Sequence, residues 1–282
     1  MKFVTYNIQF SRGKDDRYDL KRIADTVRDA DVIALQEVER FWPRSGMQDQ
    51  PAVLAELLRG HYLVFAPVFD VHAGGPPTGN RRRQFGNLLL SKYPILASRM
   101  VVLPKHHYPE QFNMYQGALE GVMQTPLGVL SIWNVHLGYL ASAERMSQLA
   151  YLREVARRIP DERGAWSGPG VLQGNDWSCG SPPIPDVEHT IWCGDFNSQP
   201  DSREYEFVTS AGFSDAAATA GEQANAYTHI RQHSQPPLLR RLDYCFLSDG
   251  LIDRVTGYRV DQEAIGSDHQ PVWVEFDDSA GH

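Results

Sequence analysis

Cysteine is scarce in this chain, with three in 282 residues. Cys179, Cys193 and Cys245 offer neither the even count nor the close spacing of a disulfide framework or a zinc cluster, so a structural-thiol role is expected. Also missing is any run near the roughly 18 consecutive apolar residues that span a bilayer. The opening MKFVTYNIQF has no signal-peptide core or small-residue cleavage site, and the expected location is cytoplasmic. Basic charge is in deficit: 27 Lys plus Arg stand against 35 Asp plus Glu, a net charge of −8. A surface of that sign repels nucleic acid and anionic lipid, so a phosphate-bearing partner has to be captured locally. With 42% hydrophobic and 22% charged residues, the composition is that of an ordinary globular chain and excludes disorder, collagen and coiled coil.

Short apolar runs of strand type recur at residues 3–8, 32–35, 62–69, 87–90, 129–135, 191–193, 242–247 and 272–276. Amphipathic helices lie between some of them. Leu20, Ile23, Ala24 and Val27 share one helical face, and a second helix is predicted over 52–59 between Pro51 and Gly60. A third is predicted over 143–159, with Ser142 as N-cap and Pro160 as stop, and a fourth from Asp201 to Gly212, with Glu204 completing a capping box. Residues 122–135 read as a hairpin turning at Thr125-Pro126-Leu127-Gly128, which makes neighbouring strands antiparallel. Many strands and few helices predict sheets packed face to face with helices outside. No linker divides the chain, so one domain over 1–282 is expected, interrupted by a Gly/Pro/Ser-rich insertion at about 164–189 that serves either as a lid or as a plain insertion.

The chemistry gathers where strands end. Thr5-Tyr6-Asn7-Ile8-Gln9, Leu35-Gln36-Glu37, Asn134-Val135-His136-Leu137, Gly194-Asp195-Phe196-Asn197 and Ser267-Asp268-His269 each close an apolar run with acid, amide or imidazole groups. Polar groups at a strand's end can project into a shared cleft without burying unpaired charge in the core. Asp195 and Asn197, two apart, share one face of an extended chain. Asp243, inside an apolar strand, needs a partner, and His269 is the candidate: an imidazole held by a carboxylate is fixed in tautomer and stabilised when protonated. Hard oxygen donors without paired cysteines suit Mg²⁺, Mn²⁺ or Ca²⁺ better than zinc, and magnesium is expected, with Mn²⁺ as a substitute.

These segments, with Arg241-Leu242-Asp243-Tyr244 and the stretch from Gly86 to Ile95, resemble the ordered motifs of the endonuclease/exonuclease/phosphatase superfamily over nearly the whole chain. The resemblance implies an α/β fold, a four-layered sandwich of two packed mixed β-sheets flanked by helices. It implies that Glu37 binds the metal directly, with Asn7 and Asp268 completing the metal and phosphate site. Asp195 would orient or deprotonate the attacking water, Asn197 and His136 would hold phosphoryl oxygens, and His269 with Asp243 would stabilise the transition state or protonate the leaving oxygen. One departure is Gln9, where some DNA-repair members carry an acid; it favours a single dominant metal.

The resulting expectation is a Mg²⁺-dependent hydrolase of a phosphoester, a phosphodiesterase or phosphatase on a small or lipid-derived substrate. A nuclease with the same site is the alternative, disfavoured by net charge. A non-catalytic binding module is the third, and the retained acids and imidazoles argue against it. The run Arg81, Arg82 and Arg83 reads equally as a solvated loop and as an anion clamp, with Arg83 entering as a phosphate-binding candidate. His229 and His233 have i, i+4 spacing, but residues 227–230 read as strand, which argues against a zinc site. Oligomeric state is not encoded legibly.

Overall fold

A computed structural model describes residues 1–74, 81–162, 165–166, 168, 177–179, 181–231 and 234–279. In chain order the strands are β1 (Lys2–Asn7), β2 (Val32–Arg40), β3 (Tyr62–His72), β4 (Arg82–Ser91), β5 (Ile95–Val102), β6 (Gly117–Thr125), β7 (Gly128–His136), β8 (His189–Asp195), β9 (Ser214–Asp215), β10 (His229–Arg231), β11 (Leu238–Arg240), β12 (Asp243–Leu247), β13 (Val255–Val260) and β14 (Val272–Phe276). The helices are α1 (Leu20–Val27), α2 (Gln50–Leu57), α3 (Ser142–Glu162) and α4 (Arg203–Thr209). One six-stranded sheet runs β13-β14-β1-β2-β4-β3, the other β5-β6-β7-β8-β12-β9, and β10 and β11 form a small ladder of their own. Both large sheets are mixed, because β1–β2 and β7–β8 are parallel among antiparallel neighbours.

Period-two alternation builds the layers. Phe3, Val32, Ala34, Ile132, Ile191, Cys193, Cys245 and Val274 point between the sheets and form the central core. Their neighbours Val4, Ile33 and Leu35 point outward onto Ile23, Ala24, Val27 and Leu54 of α1 and α2. On the other side, Trp133, Val135 and Trp192 meet Leu149, Leu152 and Val155 of α3 and Val208 near the end of α4. The result is the four-layered α/β sandwich that the motifs imply. Among the described residues, no helix is long and apolar enough to cross a membrane.

Several local expectations need correction. Helix α3 runs through Pro160 to Glu162, and Ser142 is already helical. Proline's φ suits a helix, and near the end of this one little hydrogen bonding is forfeited. The cap of α4 is Ser202, which accepts from the Tyr205 N–H, rather than Asp201. Helix α2 spans Gln50–Leu57 rather than 52–59, and Asp49 caps it by accepting the Ala52 N–H. Strands β5 and β13 went unread: they lie at or near sheet edges and are only partly covered, so their apolar runs are broken. Within the insertion at 164–189, residues 164, 167, 169–176 and 180 lie outside the described residues, as do residues 75–80 and His233.

Candidate active site

The two sheets meet at one end through buried amides. Gln36 Nε2 donates to Asn134 Oδ1 at 2.7 Å, and Asn134 Nδ2 returns two bonds of 2.9 Å to Leu35 O and Leu88 O. Asn87 Nδ2 adds bonds to Asn134 O and Gly117 O. Three amides of the sequence motifs therefore staple sheet to sheet, and the chemistry sits beside them.

Glu37 reaches the cleft through a break in strand regularity. The β2–β4 register shifts between Leu35 and Val38, and Glu37 has φ of 59°, in the left-handed region. Such a bulge re-aims a side chain that ordinary alternation would place elsewhere, at a cost in strain. Its Oε1 accepts from Asn7 Nδ2 at 3.1 Å. The same Asn7 nitrogen donates to Asp195 Oδ2 at 3.0 Å, while Asn7 Oδ1 is taken by the Gln9 N–H. Asn7 thus bridges two carboxylates.

Asp195 ends β8 and lies directly opposite Asp243, the first residue of antiparallel β12. Its Oδ1 accepts the Asn197 N–H at 2.8 Å, and its Oδ2 lies 3.5 Å from His136 Nε2 and 3.7 Å from His269 Nε2. Asn197, at φ of 48°, donates its amide to Leu137 O and to Asp195 Oδ2. Asp243 Oδ2 accepts from His269 Nδ1 at 2.8 Å and from the Thr228 hydroxyl at 2.6 Å, and Thr228 Oγ1 in turn accepts the Leu242 and Asp243 N–H groups. Asp268 Oδ2 accepts from Gln9 Nε2 at 2.7 Å.

Electrostatics follow from this crowding of acids. Burial, then the neighbouring Asp268 carboxylate, pushes Glu37 up to about 7. Burial also lifts Asp195 to about 7, against the pull of His269. For His269, burial works against the charged form, but Asp243 and then Asp195 outweigh it and hold the imidazole well above its usual range. His136 is driven the other way, to about 3, by burial and by the His269 charge. One imidazole is therefore cationic and one neutral, set by their partners.

The expected residues Asn7, Glu37, His136, Asp195, Asn197, Asp243, Asp268 and His269 all converge. Arg83 differs: its Nη2 donates to Ala73 O within the β3–β4 hairpin, and none of its hydrogen bonds reaches these groups. Thr228, Gln9 and His229 were not read as site residues. His229 packs its ring 4.7 Å from that of His269 and its Nε2 lies 3.8 Å from Asp268 Oδ2. Thr228 lies in an unremarkable Ala-Tyr-Thr-His stretch, and only its place within the predicted strand at 227–230 hinted at it.

The donor set fits a hard divalent cation. Oxygen atoms of Glu37, Asp268 and Asn7 lie in a cleft whose carboxylates are held above their normal range by burial first and then by neighbouring carboxylates, which a cation relieves. Ligand atoms of Asp195, Asp243 and His269 also lie within 4.8 Å of one another. There, however, Asp243 Oδ2 and His269 Nδ1 already satisfy each other, which makes that trio a proton-handling unit first.

The sequence profile of the Endonuclease/Exonuclease/phosphatase family matches residues 4–269. The chain belongs to that family. Among solved structures, an endonuclease/exonuclease/phosphatase from Beutenbergia cavernae DSM 12333 superposes with a TM-score of 0.69 at 22% identity, covering 97% of this chain and 70% of that one. A mannosyl-6-phosphatase from Bacteroides thetaiotaomicron VPI-5482 gives 0.65 at 18% identity, covering 98% and 99%. TDP2 from Caenorhabditis elegans gives 0.63 at 16% identity, covering 98% and 74%. No curated protein matches the chain significantly. Family membership makes it one of a group of phosphoester hydrolases that generally use divalent metals.

Proposed function

We propose that the chain is a Mg²⁺-dependent phosphodiesterase or phosphatase acting on a small or lipid-derived phosphoester. The observation that carries this reading is the placement of Asp195 Oδ2, within 3.0 Å of the Asn7 amide and within 3.7 Å of one neutral and one cationic imidazole. Glu37, Asp268 and Asn7 would hold the magnesium, which when bound supplies positive charge to the phosphoryl oxygens. Asp195 orients the attacking water and takes its proton, with Asn7 and Asn197 fixing the carboxylate in place. Neutral His136 and the Asn197 amide hold phosphoryl oxygens. Cationic His269, aimed by Asp243, stabilises charge on the phosphoryl group or donates its proton to the leaving oxygen. The fixed polar groups supply positioning, which is what phosphoryl transfer chiefly requires.

The net charge of −8 favours a small ester over a nucleic-acid strand. A phosphatase named for a sugar phosphate stands among the structural neighbours, which lends the small-ester class some support. The test is a metal-supplemented panel of bis-p-nitrophenyl phosphate, glycerophosphodiesters, sphingomyelin and supercoiled plasmid, with EDTA and Glu37→Gln as controls. Turnover of a small or lipid ester that both controls abolish is expected. Rapid plasmid nicking with no small-ester turnover transfers the assignment to a nuclease, and activity indifferent to EDTA and to Glu37→Gln overturns the metal site.

A further inference from the structure

The cleft has a lip that none of these roles uses. Directly after β1, Gln9, Phe10 and Ser11 have φ of 43°, 46° and 71°, three successive side-chain-bearing residues in the left-handed region. That conformation persists only where surroundings over-determine it. Here the buried Gln50 does so: its Nε2 donates to Phe10 O at 2.8 Å and its Oε1 accepts the Glu39 N–H at 3.0 Å. Facing this turn, the loop after β2 is closed by the Phe41 N–H to Gln48 O and the Met47 N–H to Trp42 O, each 2.9 Å. The Trp42 indole N–H pins it to β4 through Gln84 O at 2.8 Å.

Arg44 sits between the two. Its guanidinium carbon lies 3.8 Å from the centroid of the Phe10 ring and 4.6 Å from that of Trp42. Its Nε and Nη2 donate to Glu39 Oε2 at 3.1 and 2.7 Å. The Glu39 side chain is wholly buried, whereas that of Arg44 is 38% exposed. Among the described residues Nη1 has no hydrogen-bond partner, so the outer edge of the fork is open. The lip is continuous with the site, because Gln9 of the strained turn bonds Asp268 and the Arg44 charge reaches the Glu37 carboxyl.

An arginine that serves only to neutralise Glu39 needs neither the two rings nor the strained turn. A guanidinium already immobilised on three sides loses little further freedom when it grips an oxyanion through two parallel N–H donors. We propose that Arg44 is a substrate-binding residue for a second anionic group, a phosphate or carboxylate carried beside the phosphoester being cleaved. The preferred substrates are then polyanionic phosphoesters, an inference that rests on the hydrolase assignment above.

The direct test uses inorganic phosphate, titrated by calorimetry into the protein in EDTA. Without metal, the cleft carboxylates repel phosphate, so saturable binding reports the lip. Wild type should bind, Arg44→Gln should bind at least tenfold more weakly, and Arg44→Lys, which keeps the charge but loses the fork, should fall between. Because Arg44→Gln leaves Glu39 buried without its cation, the double variant Glu39→Gln/Arg44→Gln provides a folded comparison and should bind as weakly. No binding by wild type, or equal binding by these variants, overturns the proposal.

A second arm uses magnesium and matched esters: glycerol 3-phosphate against 3-phosphoglycerate, and a dinucleotide with and without a 5′-phosphate. Arg44→Gln should raise KM about tenfold for whichever second-anion ester is cleaved, with kcat within about twofold, and raise that of the partner ester severalfold less. The pair that responds tells a small polyanion from a strand phosphate, and equal effects within both pairs count against the inference. If no ester is hydrolysed at all, the hydrolase assignment fails, while the EDTA titration still decides Arg44.

Discussion

His269 Nδ1 lies 2.8 Å from an oxygen of Asp243 that also accepts the Thr228 hydroxyl at 2.6 Å. The carboxylate is thereby held in one orientation and the imidazole in one tautomer, with Nε2 facing Asp195. Asp243→Asn should keep the fold but offer an amide that matches the wrong tautomer. A fall in kcat on the order of a hundredfold or more is expected. Because Asp243 helps to raise the His269 pKa, its loss should also move the alkaline limb of the pH–rate profile to lower pH. Steady-state kinetics between pH 6 and 10 check both, and an unchanged limb with near-normal kcat contradicts the pairing's role.

Magnesium should compete with protons in the cleft. Glu37 and Asp195 are raised from 4.5 and 3.8 to about 7 without metal, so the native state holds protons that the unfolded chain releases across that window. Metal-free stability therefore falls as pH rises from about 4 to 7 on their account. Above pH 7 both acids are ionised and crowded, and a cation relieves them. The rise in Tm on adding magnesium should thus be larger at pH 8 than at pH 5.5, with a stabilisation at pH 8 of about 2.7 kcal/mol at a hundredfold excess over Kd. In Glu37→Gln the rise should largely vanish, and an equal shift at both pH values argues against Glu37 as a ligand.

Much of this was readable in the chain, and the boundary has a physical origin. The apolar alternation of β1, β7 and β8 and the polar residues that close them mark both the layers and the cleft, because a buried strand leaves few ways to place an Asn, His or Asp except at its end. Glu37 was legible as chemistry but not as geometry: β2 continues to Arg40, and the bulge that swings Glu37 into the cleft leaves no trace in residue type. Gln9 read as a mere departure from the family, yet it tethers Asp268. Thr228 and His229 were missed as site residues because a strand read over 227–230 does not say what faces it, and only the fold lays it against His269.

Gly194 tests how tightly the cleft is built. With φ of 123°, it occupies a region that side chains avoid, and a Cβ there would be driven into the backbone carbonyl of Val135 on parallel strand β7. Neither strand can yield, since Val135 is buried under α3. Gly194→Ala should destabilise the protein by about 3 kcal/mol or more. Because it precedes Asp195 and sits opposite Tyr244, the surviving folded protein should also show lowered kcat. Urea denaturation checks the first effect, and a loss below about 1 kcal/mol shows that the strands can part.

His136 should make the metal-free protein sensitive to acid in a range where carboxylates cannot explain it. Its ring is buried, its Nδ1 has no hydrogen-bond partner among the described residues, and its pKa drops from 6.5 to about 3. The native imidazole therefore stays neutral while that of the unfolded chain gains a proton below pH 6.5. Its contribution to stability is fully present above pH 6.5 and drains away as pH falls toward 3, at up to about 1.4 kcal/mol per pH unit. Glu37 and Asp195 act with the opposite sign over an overlapping range, but they remain in a His136→Asn variant and largely cancel in the difference. Unfolding free energies of the two proteins, measured in EDTA at pH 5, 6 and 7, should thus converge or cross in the variant's favour on acidification. Parallel pH profiles would mean that the native site accepts the proton, with the imidazole no longer neutral in the fold.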